Sequence, residues 1–206
     1  PCDLDEITAI AHGHGLVVIE DAAHSIGAEY KGQRVGGIAD MTAFSFYATK
    51  NITSGEGGAL TTNRADWAER VQIMALHGIS RDAWKRYGTS GYAHWEILAP
   101  GHKFNMFDLQ GALALSQLAK IERFYERRLA LKARLDAGLR DVPGLSFPAV
   151  RPDRRHAFHL YPILVRVEEL SADRDTVMNA IQAEGVGIGV HFRAVHLHPY
   201  YEQAFG

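Results

Sequence analysis

Four consecutive apolar residues, Leu16-Val17-Val18-Ile19, stand directly behind an amphipathic stretch and directly ahead of the acidic pair Glu20-Asp21. A short, uninterrupted apolar run is what a strand buried on both faces of a parallel sheet requires. The preceding residues 3–14 predict a helix. Leu4, Ile7, Ile10 and Ala11 recur at helical spacing, acidic residues occupy the first turn, and Gly13 and Gly15 end it. A helix followed by a buried strand is the rhythm of an open α/β sheet.

The rhythm continues. Residues 42–46 (TAFSF) predict a second strand and 58–62 (GALTT) a third. Between them NITSGEGG (51–58) is rich in glycine and small polar residues, which marks a turn where backbone comes close to something. Residues 64–76 predict a second helix, whereas 77–104 show no clear period. From Phe107 to about Arg140 one long helical pattern runs through Leu109, Leu113, Leu118, Ile121, Leu129 and Leu135. DVPG (141–144) stops it and sets the predicted division: a large-domain portion over 1–140 and a smaller α+β portion over 141–206. In the latter, 159–167 and 186–192 predict strands and 172–184 a helix.

Composition narrows the function classes. The 206 residues are 47% hydrophobic and 22% charged, as in a soluble globular protein. A formal net charge of −2 gives no electrostatic reason to expect nucleic acid or an anionic membrane as partner. The single cysteine, Cys2, cannot form an internal disulfide and fits a reducing cytoplasm. No apolar run approaches the length of a membrane span, and no signal peptide is evident. The chain opens on Pro1-Cys2 without an initiating Met and ends at Gly206 after a Tyr/His-rich stretch, the pattern expected of a fragment.

Two residues carry the chemistry. Asp21 follows the buried strand directly, and in open α/β sheets ligands bind beyond the carboxyl ends of the strands. The plainer reading is a helix N-cap, with Ala22-Ala23-His24-Ser25 beginning a helix. Lys50 follows the second strand at the edge of the glycine-rich loop, a place for a phosphate contact or a Schiff base. The plainer reading is a surface lysine. A Schiff-base lysine needs a partly buried, apolar setting, which Phe44, Phe46 and Tyr47 can supply. Together, a carboxylate and an amine at two strand ends suit pyridoxal 5'-phosphate (PLP), which needs an amine to hold it and an acid on its pyridine nitrogen.

The motifs EDAAHSIGA, FSFYATKNITSGEGGAL, GHKFNMFDLQGALALSQL and GIGVHFRAVHLHPYY resemble the sugar aminotransferases of the DegT/DnrJ/EryC1/StrS family. The resemblance covers nearly the whole chain and is nearest to the branch that makes UDP-4-amino-4-deoxy-L-arabinose from its 4-keto precursor. It implies a PLP-dependent transferase of fold type I and a homodimer with shared active sites. It further implies L-glutamate as amino donor, a keto nucleotide-sugar as acceptor, and a role in cell-envelope polysaccharide, lipopolysaccharide or lipid A modification. By resemblance Lys50 forms the Schiff base, Asp21 pairs with the pyridinium, His24 stands near the ring and Ser45 bonds the cofactor phosphate. Alternatively, Ser45 bonds only backbone and His24 faces solvent at a helix start.

In GHKFN the family places an asparagine that reaches the neighbouring subunit's phosphate, more commonly within a GYNYR-like form. This sequence departs from that form, so the role is open between Lys103 and Asn105, and Asn105 could also cap the following helix. His191, Arg193 and His196 lie in the segment that, in the family, approaches the active site from the small domain; substrate contact and a structural role both remain open. The histidines lack the helical spacing with a carboxylate that a zinc site needs, so no metal is expected. A dehydratase relative would carry histidine in place of Lys50, and a PLP-binding regulatory module would not need Lys50, Asp21 and Ser45 all intact. A plain nucleotide-binding domain would need a glycine-rich loop after the first strand, which LVVIEDAAHS lacks.

Overall fold

A computed structural model describes residues 1–80 and 96–206. The chain forms two compact units, Pro1–Leu135 with Ala149–Tyr161, and Asp136–Pro148 with Pro162–Gly206. No helix among the described residues is long and apolar enough to cross a membrane.

The first unit opens with α1 (Leu4–Gly13), whose Leu4 is fully buried. Strand β1 (Ile19–Asp21) then pairs in parallel with β4 (Met41–Ser45), in the register Ile19↔Met41 to Asp21↔Ala43. β4 pairs on its other side, antiparallel, with β5 (Gly58–Thr61), from Thr42↔Thr61 to Ser45↔Gly58. Asp40 joins these pieces: its Oδ2 accepts from the backbone N–H of Val18 and from His12 Nε2, each at 2.8 Å. Those two donors, the backbone one foremost, hold the Asp40 carboxyl below the usual carboxylate range.

The first apolar run behaves differently from its pattern. Only Ile19 of 16–19 enters the ladder, and Leu16, Val17 and Ile19 are each more than half exposed. A strand is buried on both faces only when layers cover both. Among the described residues β1 has β4 as its one neighbour in the sheet.

A second small sheet has the order β3-β2-β7, all antiparallel: β2 (Glu29–Tyr30), β3 (Gln33–Arg34) and β7 (Arg154–Arg155). It brings Ala149–Tyr161 back onto the first unit. Ala157 there joins Ala22, Ala28 and Val35 in one buried cluster, with Phe44 packed against it. Salt bridges fasten the same return: Arg154 to Asp3 (2.6 Å), and Arg155 to Glu122 (2.5 Å) and Glu29 (3.4 Å).

Helix α2 (Ala65–Ala75) matches the helix predicted over 64–76. The long pattern from Phe107 is two helices, α3 (Asp108–Leu118) and α4 (Ile121–Leu139). At the junction the N–H of Lys120 donates to Gln117, three residues back instead of four (2.9 Å). That tightened turn breaks the helix without disturbing its apolar spacing.

The second unit holds the end of α4, a two-stranded sheet of β6 (Leu145–Ser146) and β8 (Leu164–Val165), α5 (Arg174–Ala183) and α6 (Pro199–Phe205). Asp173 caps α5, accepting from the N–H of Thr176 at 2.8 Å. Of the strand predicted over 159–167 only Leu164–Val165 is extended in a ladder. Residues 186–192 form no strand, because no neighbouring chain among the described residues offers them a ladder.

Candidate active site

Asp21 ends β1, and the parallel register sets it beside Ala43 of β4. Ser45 lies two residues further along β4, about 7 Å beyond that point. Both side chains thus stand at the carboxyl ends of adjacent parallel strands, the place where open α/β sheets bind ligands. After Asp21 the chain turns at once. Ala22 is buried and donates to Ala43 (2.8 Å), while Asp21 Oδ1 accepts from the N–H of Ala23 (3.0 Å). Residues 22–27 are turns and not a helix, so Asp21 is no helix cap. Its Oδ2 has no hydrogen-bond partner among the described residues.

Lys50 sits on a turn built from both sides. Its N–H donates to the Tyr47 carbonyl (3.0 Å), after the exposed run Tyr47-Ala48-Thr49. Directly after it Asn51 and Ile52 are buried, at 5% and 1% exposure. The glycine-rich loop folds back over the end of β4. Phe46 donates to Gly57 (2.8 Å), and the Phe46 carbonyl accepts from Ser54 N–H (2.9 Å) and Thr53 Oγ1 (3.1 Å). Gly58 is required by this closure: a Cβ there would meet the Phe44 carbonyl oxygen at 2.5 Å. Of the apolar setting predicted for Lys50, Phe46 is buried and Phe44 half-buried, while Tyr47 is exposed. The Lys50 ammonium makes no ion pair among the described residues. Ser45 Oγ accepts from the N–H of Tyr47 (3.3 Å), a backbone contact that leaves its hydroxyl hydrogen to donate elsewhere.

His24 is half-buried, its ring 4.2 Å from that of His159. Lys103 and Asn105 lie on an extended segment fixed to the end of α2. His102 and Phe104 donate to Met74 (2.7 Å) and Ala75 (2.9 Å), and Lys103 bridges Leu76. The rings of His102 and Phe104 stack at 4.7 Å, which puts Lys103 and Asn105 together on the alternate side, both exposed. Asn105 does not cap α3. Gln110 does, its Oε1 accepting from Phe107 N–H (3.3 Å) and its Nε2 donating to Glu56 of the glycine-rich loop (2.9 Å). His191, Arg193 and His196 lie exposed in the second unit, between α5 and α6. Among the described residues no three metal-ligating side chains stand together.

Three residues not expected from the sequence also stand at this site: Asn51, His159 and Gln110. Asn51 stands next to Lys50 in KNIT, and that adjacency was the available signal. Nothing in the sequence ties His159 or Gln110 to the loop.

Residues 1–206, the whole chain, match the DegT/DnrJ/EryC1/StrS aminotransferase family. The chain belongs to that family. Among its relatives, the spore coat polysaccharide biosynthesis protein SpsC of Bacillus subtilis is 45% identical over all 206 residues, which cover 53% of SpsC. Among solved structures, Helicobacter pylori PseC, an aminotransferase of pseudoaminic acid biosynthesis, aligns with a TM-score of 0.88 at 27% identity. That alignment covers 100% of this chain and 53% of PseC. A sugar-aminotransferase structure from Streptococcus pneumoniae in its PLP form aligns at 0.84 and 27% identity, over 98% of this chain and 54% of that one. The chain therefore spans about half the length of the curated relatives it matches. For a DegT-family chain the donor set is apt: a carboxylate with an unused oxygen, an amine on a braced turn, and a hydroxyl at the strand end suit the ring nitrogen, aldehyde and phosphate of PLP.

Proposed function

We propose that the full-length protein is a PLP-dependent aminotransferase that moves the amino group of L-glutamate to a keto nucleotide-sugar. The observation that carries this reading is the placement of Asp21 and Lys50 beyond the carboxyl ends of two adjacent parallel strands. When bound, PLP supplies a carbonyl carbon for the amine and a ring that accepts the electron pair of the substrate Cα–H bond. Lys50 would hold the cofactor covalently and give way to the donor amine. Its freed Nζ would take the proton from the substrate Cα as base and return it, as acid, to the former aldehyde carbon of the cofactor. The Asp21 carboxylate would keep a proton on the ring nitrogen through the oxygen that Ala23 leaves open. The Ser45 hydroxyl would donate to the phosphate, and His24 would stand beside the ring.

The finer assignments rest on sequence. The acceptor is a 4-keto nucleotide-sugar, nearest to the UDP-linked 4-keto pentose, and the amino sugar goes to a cell-envelope polysaccharide or to lipid A. The role of SpsC in spore coat polysaccharide biosynthesis supports that direction. The enzyme is a cytoplasmic homodimer in which Lys103 or Asn105 reaches the partner's cofactor phosphate. His191, Arg193 and His196 contact substrate. The test is turnover of the full-length protein with L-glutamate and a panel of 3-keto and 4-keto nucleotide-sugars, read as 2-oxoglutarate release and amino-sugar formation. Turnover that vanishes in Lys50→Ala supports the assignment, and turnover equal to wild type in that variant refutes it.

A further inference from the structure

Three side chains stand in a row behind Lys50. Asn51, next in sequence and buried, donates from Nδ2 to the Ala157 carbonyl (2.9 Å). That bond fixes which way the amide faces, because only the nitrogen can donate. Its Oδ1 then meets His159 Nδ1 at 2.9 Å. An amide oxygen only accepts, so Nδ1 of His159 carries a hydrogen. The His159 ring in turn lies against that of His24, centroids 4.2 Å apart and planes tilted by 42°.

The segment that delivers His159 is held against its backbone preference. Phe158 has φ +48, in the left-handed region that a bulky aromatic rarely adopts. Neighbours over-determine it. Its N–H donates to His156 Nδ1 (2.9 Å), its ring lies 4.8 Å from the His156 ring, and the Lys132 ammonium sits 5.5 Å from its centroid. On one side of it Ala157 is locked in the buried cluster, and on the other His159 is turned toward Asn51.

We propose that Asn51 and His159 are positioning residues that lock the Lys50 turn to the loop carrying His24, so that amine and imidazole meet the cofactor in a fixed relation. The proposal rests on the aminotransferase reading above. Upstream of Lys50 the turn is exposed, and its backbone bonds among the described residues, Lys50 to Tyr47 and Tyr47 to Ser45, are local. Downstream, the Asn51 side chain is its tether to a distant part of the chain. Orienting the amine before reaction removes an entropic cost from each encounter. A contact that only adds stability would leave the reactivity of Lys50 unchanged.

The test uses the full-length protein freed of cofactor. The rate at which the visible band of Lys50-bound PLP appears is measured in wild type, His159→Leu and His159→Asn. Asn places a donor where Nδ1 lies, whereas Leu has none. Expected is a roughly tenfold slower band in His159→Leu, the scale of one lost hydrogen bond to a buried partner, and recovery to within about twofold in His159→Asn. A His159→Leu rate within about twofold of wild type overturns the proposal. A second measurement needs no variant: nitrogen NMR of the histidine-labelled wild-type protein must find the His159 hydrogen on Nδ1. A hydrogen on Nε2 alone overturns the proposal even if His159→Leu fails to fold. A wild-type protein that forms no band removes the aminotransferase reading and this proposal together, whereas a normal wild-type band with an unaffected His159→Leu removes the proposal alone.

Discussion

Gly58→Ala separates steric need from conformational need in the glycine-rich loop. Gly58 is paired with Ser45 at the end of β4, and an added Cβ would come within 2.5 Å of the Phe44 carbonyl oxygen, far inside the 3.4 Å of ordinary contact. The obstacle is backbone, so no side-chain rotation relieves it. The end of the β4–β5 ladder must open, losing one hydrogen bond and leaving a carbonyl poorly paired, at a combined cost of about 2–4 kcal/mol. At roughly 2–4 °C per kcal/mol for a chain of this size, melting falls by about 5–15 °C. The same movement displaces Ser45 and the Lys50 turn, because Phe46 donates to Gly57 (2.8 Å). PLP affinity therefore falls with stability. Gly55→Ala is the control: Gly55 has φ +82 but nothing within 4 Å of an added Cβ, so it bears only the left-handed penalty of about 1–2 kcal/mol. The assay is a thermal melt of both variants with a PLP titration by absorbance. A Gly58→Ala protein that melts no lower than Gly55→Ala, or binds PLP as tightly, refutes the reasoning.

Three further outcomes follow from particular contacts. Asp21→Asn keeps the contact to Ala23 but loses the charge on the ring nitrogen, so glutamate-dependent turnover drops by roughly a hundredfold or more while the protein still binds PLP, measured by steady-state kinetics and absorbance. His156 is pushed below its ordinary value near 6.5, chiefly by burial, and its Nδ1 accepts from Phe158. The unfolded chain therefore takes up that proton first, and stability falls as pH drops through about 6.5, levelling off once the folded form is protonated too. Melts between pH 7.5 and 5 should show this dependence weakened in His156→Gln. Gly144 has φ +75, and a Cβ there would strike Leu170 Cδ2 at 2.7 Å, so Gly144→Ala destabilises the second unit by at least about 1–2 kcal/mol, visible in a denaturant titration.

The parts of the fold that carry period and punctuation were legible in the sequence. α1, β4, β5, α2 and α5 stand within a few residues of where apolar spacing, glycines and acidic first turns put them. Asp21 and Lys50 could be placed at strand ends because the strands themselves were readable, whereas Ser45 was singled out by the family resemblance. What escaped depends on partners distant in sequence. The Arg154-Arg155 strand has no apolar signature, since its role is to pair with β2 and to meet Asp3, Glu29 and Glu122. The break at Ala119-Lys120 is a change of one hydrogen bond inside an unbroken apolar pattern. Residues 186–192 have strand-like composition, yet a strand exists only where a neighbour supplies the other half of the ladder. His159 joined the site through the turn at Phe158 and the amide of Asn51, neither of which has a sequence signature.

The most direct test of the central claim is a visible absorbance spectrum of the full-length protein with PLP, taken before and after L-glutamate, in wild type and Lys50→Ala. The expected result is a yellow band in wild type that bleaches with glutamate and is absent from Lys50→Ala. A band of equal strength in Lys50→Ala, or no band in wild type, contradicts the assignment of Lys50 as the cofactor's lysine.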